Sequence, residues 1–329
     1  MYKAFYNLKR NPFEITPDPS FLFPTKRHNE ALAALYYGVR RRKGFVVLTG
    51  EVGTGKTMVL RCLLQLFRQN NDVAYAYIFN SRLSSVEFLQ YIAADFGLPA
   101  SGKNKSELLL ELGNFVISRA RQKLTTVLVV DEAHHLSAEI LEEIRLLTNL
   151  ETIHEKLLQI LLVGQPELDD KLDSNELRQL KQRIALRSHL EPLDLNETKG
   201  YIERRLQLAS MNGTAPTLFP AETVASIHQH SHGIPRLINT ICENALIAAY
   251  ARQMRAVGPD IIEEIATDFR LNVTRHTEPE RIPDTDDSDI RRAAQTLLDM
   301  YAYLQKPRHR ESDLRASLTA RISKHEPYI

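Results

Sequence analysis

Short, continuous apolar runs alternate along the first 190 residues with stretches in which apolar residues recur every three or four positions. The runs predict strands buried on both faces, and the recurring spacing predicts amphipathic helices. This alternation indicates a parallel sheet with helices on both sides, an α/β fold. The predicted strands are Phe45–Leu48, Val73–Phe79, Thr126–Val130, Leu157–Val163 and Ile184–Leu190. The accompanying helices are Lys26–Arg42, Lys56–Arg68, Ser84–Phe96, Ser106–Lys123 and Ala138–Leu150.

From about Leu195 the strand pattern stops and only helical spacing follows. We therefore expect an α/β core over residues 1–194 and an all-helical module over 195–272. The prolines and aromatics between Pro12 and Pro24 fix extended backbone and predict an ordered arm whose rings pack on a neighbouring domain. The helices predicted in the module are Glu197–Ala209, Pro220–Ser231, Pro235–Arg252 and Pro259–Leu271.

Residues 273–329 differ from the rest in composition. Thr274–Asp289 is polar and acidic with two prolines, which predicts a linker. Apolar residues at helical spacing predict one amphipathic helix over Ile290–Leu304, which either packs back on the helical module or contacts a partner or lipid. A basic, polar tail over Lys306–Lys324 is expected to be mobile.

The overall composition is that of a soluble globular protein, with 43% hydrophobic and 25% charged residues. The net charge of +1 excludes a global field that attracts nucleic acid or anionic lipid, so such contacts would need a local patch. Cys62 and Cys242 are far apart in the sequence and are expected to be buried thiols in a reducing compartment. No apolar run is long enough to span a membrane. These features predict a cytoplasmic protein, with peripheral contact at the inner membrane as an alternative.

The segment GEVGTGKT fits the phosphate-loop pattern G-x-x-x-x-G-K-[ST] at every fixed position, between a predicted strand and a predicted helix. Its glycines let successive backbone N–H groups point into one concavity, to which the helix adds its positive end. Lys56 is expected to reach the β- and γ-phosphates and Thr57 to bind Mg²⁺. A glycine-rich turn without a ligand is the alternative. The predicted nucleotide-binding residues are Gly50, Glu51, Val52, Gly53, Thr54, Gly55, Lys56, Thr57 and Met58.

An acidic pair, Asp131-Glu132, follows the apolar run Val127–Val130. Parallel sheets bind ligands at the carboxyl ends of their strands, so we predict that Asp131 holds Mg²⁺ and that Glu132 is the general base. The alternative is a simple cap of the next helix. The following Ala-His completes a DEAH string, but we recognise no further helicase element and no second motor domain. His134 and His135 are expected to begin a helix rather than to bind metal.

Four further side chains complete the predicted site. Gln165, at the tip of the fourth strand, is expected to sense the γ-phosphate and orient the attacking water. Arg183, which precedes the fifth strand, or else Arg178, is predicted to act in the site of a neighbouring subunit. Arg236 in Gly233-Ile234-Pro235-Arg236 begins a helix and is expected to reach back to the nucleotide. Loop polarity at Gln165 and a solvated helix face at Arg183 and Arg178 are the alternatives.

These motifs, in this order, resemble the AAA+ ATPases, and more narrowly the ATPase domain of the ExeA/GspA family associated with type II secretion. The resemblance runs from about Phe5 to Leu271. It implies a P-loop core with strand order 5-1-4-3-2, a helical lid, bound ATP and Mg²⁺, and homo-oligomers in which a neighbour's arginine completes each site. The segments that carry it are NLKRNPFEITPDPSFLF, RHNEALAAL, GFVVLTGEVGTGKT, VVDEAHHLS, IRLLTNLET, LLQILLVGQPEL, LRQLKQRI and GIPRLIN.

The resemblance favours an oligomeric ATP hydrolase that serves a secretion or envelope-export machine, with secretion or pilus-type membrane components as partners. ExeA-like proteins carry a membrane anchor and a peptidoglycan-binding domain after the ATPase, and we expect neither after Leu271. A second hypothesis is a DNA-binding transposition helper, because the chain is also similar to TniB/MuB-like ATPases and has basic residues at 40–43 and in the tail. The third is a nucleotide-gated scaffold with negligible turnover.

Overall fold

The computed structural model describes residues 2–16, 18–69, 72–79, 83–214 and 216–271. Its centre is a five-stranded, fully parallel sheet with the strand order β2-β3-β4-β1-β5. The predicted α/β class and the order 5-1-4-3-2 are therefore confirmed. The strands are β1 Phe45–Gly50, β2 Val73–Ile78, β3 Thr125–Val130, β4 Leu158–Val163 and β5 Ile184–Leu190. The helices are α1 Tyr2–Phe5, α2 Lys26–Arg40, α3 Lys56–Gln69, α4 Ser85–Asp95, α5 Lys105–Arg121, α6 Ala138–Leu147, α7 Glu167–Leu172, α8 Arg178–Lys181, α9 Leu195–Ala209, α10 Ala221–Ser231, α11 Pro235–Ala251 and α12 Pro259–Asp268.

Successive residues of β1 face two different hydrophobic clusters. Phe45 and Val47 pack with α4, α5 and α6, whereas Val46 and Leu48 pack with α2 and α3. Both faces of the sheet are thus covered, which explains why β1, β3 and β4 are buried along their whole length. The continuous apolar runs in the sequence follow directly from this double burial.

Most element boundaries lie within two or three residues of those predicted from the sequence. Helix α9 begins at Leu195 rather than Glu197, because the Asp194 side chain accepts a hydrogen bond from the Glu197 backbone N–H (2.7 Å) and the Glu197 carboxylate accepts one from Asp194 (3.1 Å). The short helices α7 and α8 were not predicted, because each spans too few residues to establish a period.

The N-terminal arm packs on helices α9 to α12. Tyr2, Tyr6 and Phe13 belong to the hydrophobic cluster of those helices, and the Tyr6 hydroxyl donates to the Met254 carbonyl at 3.0 Å. Further along the arm, Leu22 belongs to the cluster formed by α2 and α3. Phe13 therefore packs on these helices as predicted, and the arm connects the helical module to the α/β core.

A second connection joins the start of α11 to the chain just after β5. The Leu193 backbone N–H donates to the Gly233 carbonyl at 2.9 Å. Gly233 has a φ of +70°, and a Cβ built there would lie 1.9 Å from the Leu193 carbonyl oxygen. Only glycine allows this approach, so this residue sets the position of the α11 N-terminus relative to the sheet.

The predicted linker Thr274–Asp289, helix Ile290–Leu304 and basic tail Lys306–Lys324 lie outside the described residues. Over the ranges that are described, none of the helices combines the length and the apolar character that crossing a membrane requires.

Replacing Gly233 with alanine is expected to lower the free energy of unfolding by about 3 kcal/mol or more, because a positive φ and a steric clash act together. Gly213 is a matched control, since its φ is +71° and a Cβ there would meet no atom within 4 Å. Gly213→Ala should therefore cost only about 1 kcal/mol. Urea unfolding of the two variants checks this, and equal losses would refute the steric role of Gly233.

Candidate functional site

The sheet order places the predicted site residues at one edge. The phosphate loop follows β1, the acidic pair follows β3, and Gln165 follows β4, which lies between those two strands. Because all strands are parallel, their carboxyl ends meet at the same edge of the sheet. Segments distant in the sequence therefore lie side by side.

Lys56 is held at the mouth of the phosphate loop. Its ammonium donates to the carbonyls of Gly50 (2.6 Å) and Glu51 (2.9 Å), and the residue is only 7% exposed. Burial lowers the pKa of Lys56 from its ordinary value, an effect opposed by the carboxylates of Glu132 and Asp131. A cation in this position is suited to binding an anion such as a phosphate group, because the anion offsets the cost of burial.

Asp131 is oriented by three hydrogen bonds. Its Oδ2 accepts from the hydroxyls of Thr57 (3.3 Å) and Tyr77 (2.6 Å), and its Oδ1 accepts from the Glu132 backbone N–H (3.0 Å). Burial first, and then the negative charge of Asp131, raise the pKa of Tyr77, so that the phenol stays protonated as a donor. Tyr77 was not predicted, because its only signal in the sequence is an aromatic residue within the second strand.

Glu132 adopts a left-handed backbone conformation, with φ +53° and ψ +36°. A non-glycine residue in this region costs about 1–2 kcal/mol, and such strain is concentrated at functional sites. The side chain is 46% exposed, and its Oε2 lies 3.4 Å from His134 Nδ1. The strained backbone thus carries a carboxylate that is partly exposed and lies beside His134.

His134 lies in a short 3₁₀ turn and touches the tip of β4. Its Nδ1 accepts a hydrogen bond from the Gln165 backbone N–H at 3.3 Å. Burial and the neighbouring His135 lower the pKa of His134. The neutral ring therefore links the loop that carries Glu132 to the loop that carries Gln165, a connection that the sequence did not predict.

Arg236 lies beside the phosphate loop. Its backbone N–H donates to the Gly53 carbonyl at 3.3 Å. Gly53 has a φ of +84°, and a Cβ there would be 2.7 Å from the Cβ of Arg236, so glycine is needed for this contact. The structure thus brings the first turn of α11 to the loop, with the Arg236 side chain exposed.

Arg183 and Arg178 do not lie with the other predicted site residues around the phosphate loop. Arg183 immediately precedes β5, whose Ile184 is paired with Phe45 at the start of β1. The phosphate loop lies at the other end of β1. Five residues of strand separate the two ends, a distance of about 17 Å. Arg183 donates to the Asn149 side chain at 3.1 Å, and Arg178 is exposed at the start of α8. Arg183 therefore lies at the opposite edge from its own phosphate loop.

A cavity adjoins the loop, between the arm, the core and the helical module. His28 lines it and anchors the loop: its Nε2 donates to the Thr54 carbonyl (2.9 Å) and its Nδ1 accepts from the Thr25 hydroxyl (2.7 Å). Burial lowers the pKa of His28, and the bond to Thr54 opposes this effect. A single histidine in an amphipathic helix gave no signal in the sequence. The cavity is lined by Phe21, Leu22, Phe23, His28, Thr54, Gly55, Met58, Leu193, Tyr201, Arg205 and Pro235.

The donor set fits a magnesium nucleotide. Thr57 and Asp131 present oxygen atoms 3.3 Å apart, and Mg²⁺ is commonly bound by one or two such oxygens together with substrate phosphates. The buried ammonium of Lys56 suits the phosphates, and the aromatic cavity next to the loop suits a base.

Residues 39–172 match a family model described as an AAA domain. This match covers the phosphate loop, the acidic pair and Gln165, and it agrees with the observed strand order. The chain has an AAA+ fold. The fold class predicted from the sequence is therefore confirmed.

Two curated proteins are similar to this chain in sequence. The AAA+ chain is 46% identical over 253 residues to General secretion pathway protein A of Aeromonas hydrophila, an alignment that covers 77% of the chain but only 45% of that relative. It is 29% identical over 236 residues to the ATP-dependent target DNA activator B of Escherichia phage Mu, covering 70% of the chain and 68% of the phage protein. The resemblance to the ExeA/GspA type is confirmed, and the chain spans less than half the length of this secretion-pathway relative.

Solved structures support the fold. The ORC2 protein of Aeropyrum pernix, solved in complexes with ADPNP and ADP, superposes with a TM-score of 0.60 at 18% identity, covering 79% of this chain and 72% of that one. At this identity the comparison establishes a shared AAA+ fold and nothing more specific.

Folding stability is expected to fall as the pH drops below about 6.5, the ordinary pKa of histidine. The pKa of His28 is lowered in the folded state, so the unfolded chain takes up a proton that the folded chain does not. His28→Gln keeps a donor and an acceptor but does not titrate, and should make this loss shallower. His154, which is exposed, serves as the control position. Urea unfolding of both glutamine variants between pH 7.5 and 5.5 checks this, and parallel curves for His28→Gln and the parent would refute it.

Proposed function

We propose that this chain is an ATP hydrolase whose site is completed by a second copy of the chain, and that it serves a secretion or envelope-export machine. The observation that carries the proposal is the convergence of Lys56, Thr57, Asp131 and Glu132 at one sheet edge. This arrangement supplies phosphate binding, metal binding and a base within one site.

Each side chain has a distinct role in this proposal. When bound, the magnesium nucleotide supplies the triphosphate and the charge that hydrolysis requires. Lys56 binds phosphate oxygens, while Thr57 and Asp131 hold the metal. Glu132 accepts a proton from the attacking water at its carboxylate, and the left-handed backbone there orients the carboxylate for this task.

Gln165 and Arg236 complete the site from two sides. Gln165 follows the strand between the phosphate loop and the acidic pair, a position suited to orienting water and sensing the terminal phosphate. Arg236 begins the helix whose backbone bonds to the loop at Gly53, so its guanidinium is well placed to respond to bound phosphate.

The cavity beside the loop is the proposed place of the adenine base. Three aromatic rings line it (Phe21, Phe23 and Tyr201), and such rings bury the flat face of a base. Because the arm and the helical module also form its walls, base binding would join both to the core.

The secretion role rests on the similarity to General secretion pathway protein A. That similarity extends over 253 residues, which is 77% of the chain. We propose a cytoplasmic protein that assembles into oligomers and acts on membrane components of an export system, with peripheral contact at the inner membrane.

Glu132→Gln is expected to lower the ATP turnover number about 100-fold or more, because the variant cannot accept a proton from water. ATP affinity should stay within about twofold, since the phosphate and metal ligands remain. Phosphate release and nucleotide binding by calorimetry measure the two quantities. Parental turnover in this variant would remove the base role of Glu132, and negligible turnover in the parent would favour a nucleotide-gated scaffold.

Turnover per subunit should rise steeply with protein concentration, because Arg183 lies at the sheet edge opposite its own phosphate loop and would act in a neighbour's site. Arg183→Ala should flatten this rise, with a loss of about a thousandfold at saturating protein. Arg178→Ala is the paired variant. If Arg178→Ala flattens the dependence of turnover on protein concentration and Arg183→Ala does not, Arg178 is the arginine that acts in the neighbour's site.

A DNA-binding role is the second candidate, supported by the similarity to the target DNA activator of phage Mu. Within the basic cluster at 40–43, however, Arg40 is paired with Asp72 and Arg42 with Glu155. Arg41 and Lys43 remain exposed for phosphate contacts. Repeating the turnover assay with duplex DNA at two salt concentrations separates the candidates, because stimulation that fades with salt would indicate phosphate contacts.

A further inference from the structure

Arg205, on helix α9, is a buried cation with neutral partners. It is 4% exposed, and one guanidinium nitrogen donates to the carbonyls of Pro12 (2.7 Å) and Glu14 (3.3 Å) in the arm. Its charge lies over the rings of Phe21 (4.9 Å) and Tyr201 (5.1 Å). No ion pair with a carboxylate is among its contacts within the described part of the chain.

This arrangement leaves a buried donor without a partner. The Nε–H of Arg205 is buried and has no hydrogen-bond partner among the described residues. An unpaired buried donor lowers the stability of the fold, and it costs more on a charged group. A protein rarely retains such a group in its core unless a ligand or an ordered water satisfies it.

Arg205 lines the cavity beside the phosphate loop, together with Thr54 and Gly55 of the loop itself. The other polar side chains of the cavity wall are engaged elsewhere. His28 uses both ring nitrogens, the Thr54 hydroxyl donates to the Glu51 carbonyl, and the Tyr201 hydroxyl donates to Asn239. Among these side chains, Arg205 is the one that keeps a fully buried N–H without a partner in the described part of the chain.

We propose that Arg205 reads the base of the bound nucleotide by donating its Nε–H to a ring nitrogen of the purine. This inference rests on the proposed function, because it places the base of ATP in the cavity. The same guanidinium holds the arm through Pro12 and Glu14, so base binding also fixes the arm against α9. Arg205 therefore determines which ring edge the site accepts and couples base recognition to the position of the arm.

The test compares ATP with its 1-deaza, 3-deaza and 7-deaza analogues, and with inorganic tripolyphosphate, by calorimetry with Mg²⁺ on the parent chain. Each deaza analogue replaces one ring nitrogen by C–H and so removes one acceptor. One of the three should bind about tenfold to a hundredfold more weakly than ATP, because the charged donor loses its acceptor.

Arg205→Met links the effect to this side chain. This substitution should weaken the binding of ATP by about the same factor and leave the affinity for tripolyphosphate unchanged. The variant should bind the sensitive analogue and ATP with equal affinity. Arg204→Met is the matched control on the same helix, since Arg204 bonds to Gln207 and does not line the cavity. It should retain the parental pattern.

Three results would overturn the inference. The first is equal binding of ATP and all three analogues by the parent chain. The second is an analogue penalty that persists in Arg205→Met. The third is no binding of ATP or tripolyphosphate, which would refute the proposed function together with the inference. If Arg205→Met shows no thermal unfolding transition, the variant is not folded. The analogue series on the parent chain then tests the inference by itself.

Discussion

The parallel register of the sheet is the constraint on which the site depends. Because β1, β3 and β4 are adjacent and run the same way, their carboxyl ends deliver the phosphate loop, the acidic pair and Gln165 to one edge. The hydrogen bond between Thr57 and Asp131 joins two segments 74 residues apart, and it forms only in this register. The same parallel geometry puts Arg183 at the opposite edge of the sheet. One chain thus holds most of a site at one edge, and at the other edge it holds an arginine that is a candidate for a neighbour's site.

The helical module is tied to this edge by three contacts of different kinds. The backbone of Arg236 bonds to Gly53, Gly233 packs against Leu193 without room for a side chain, and Arg205 holds the arm. A movement of the module would change the phosphate loop, the cavity and the arm together. Under the proposed function, this coupling would allow a bound nucleotide to change the position of the module.

Much of the fold could be predicted because double burial makes a strand apolar at every position. The five runs in the sequence therefore marked the five strands, with small errors at the ends. The short helices α7 and α8 were missed because one or two turns carry no period. The phosphate loop and the acidic pair could be predicted because each is a short segment of contiguous residues. Tyr77, His28 and Arg205 were missed because each acts through a partner far along the chain, such as Asp131 for Tyr77 and Thr54 for His28.

The sequence by itself determined the α/β class, the phosphate-binding loop and the acidic residues beside it, because these depend on local spacing and on the polarity of contiguous segments. Only the tertiary structure decided which side chains orient Asp131, which ring anchors the loop, and which cation remains buried with a free donor at the cavity wall. Those features arise from the approach of segments between 26 and 193 residues apart, and no local pattern encodes such distances.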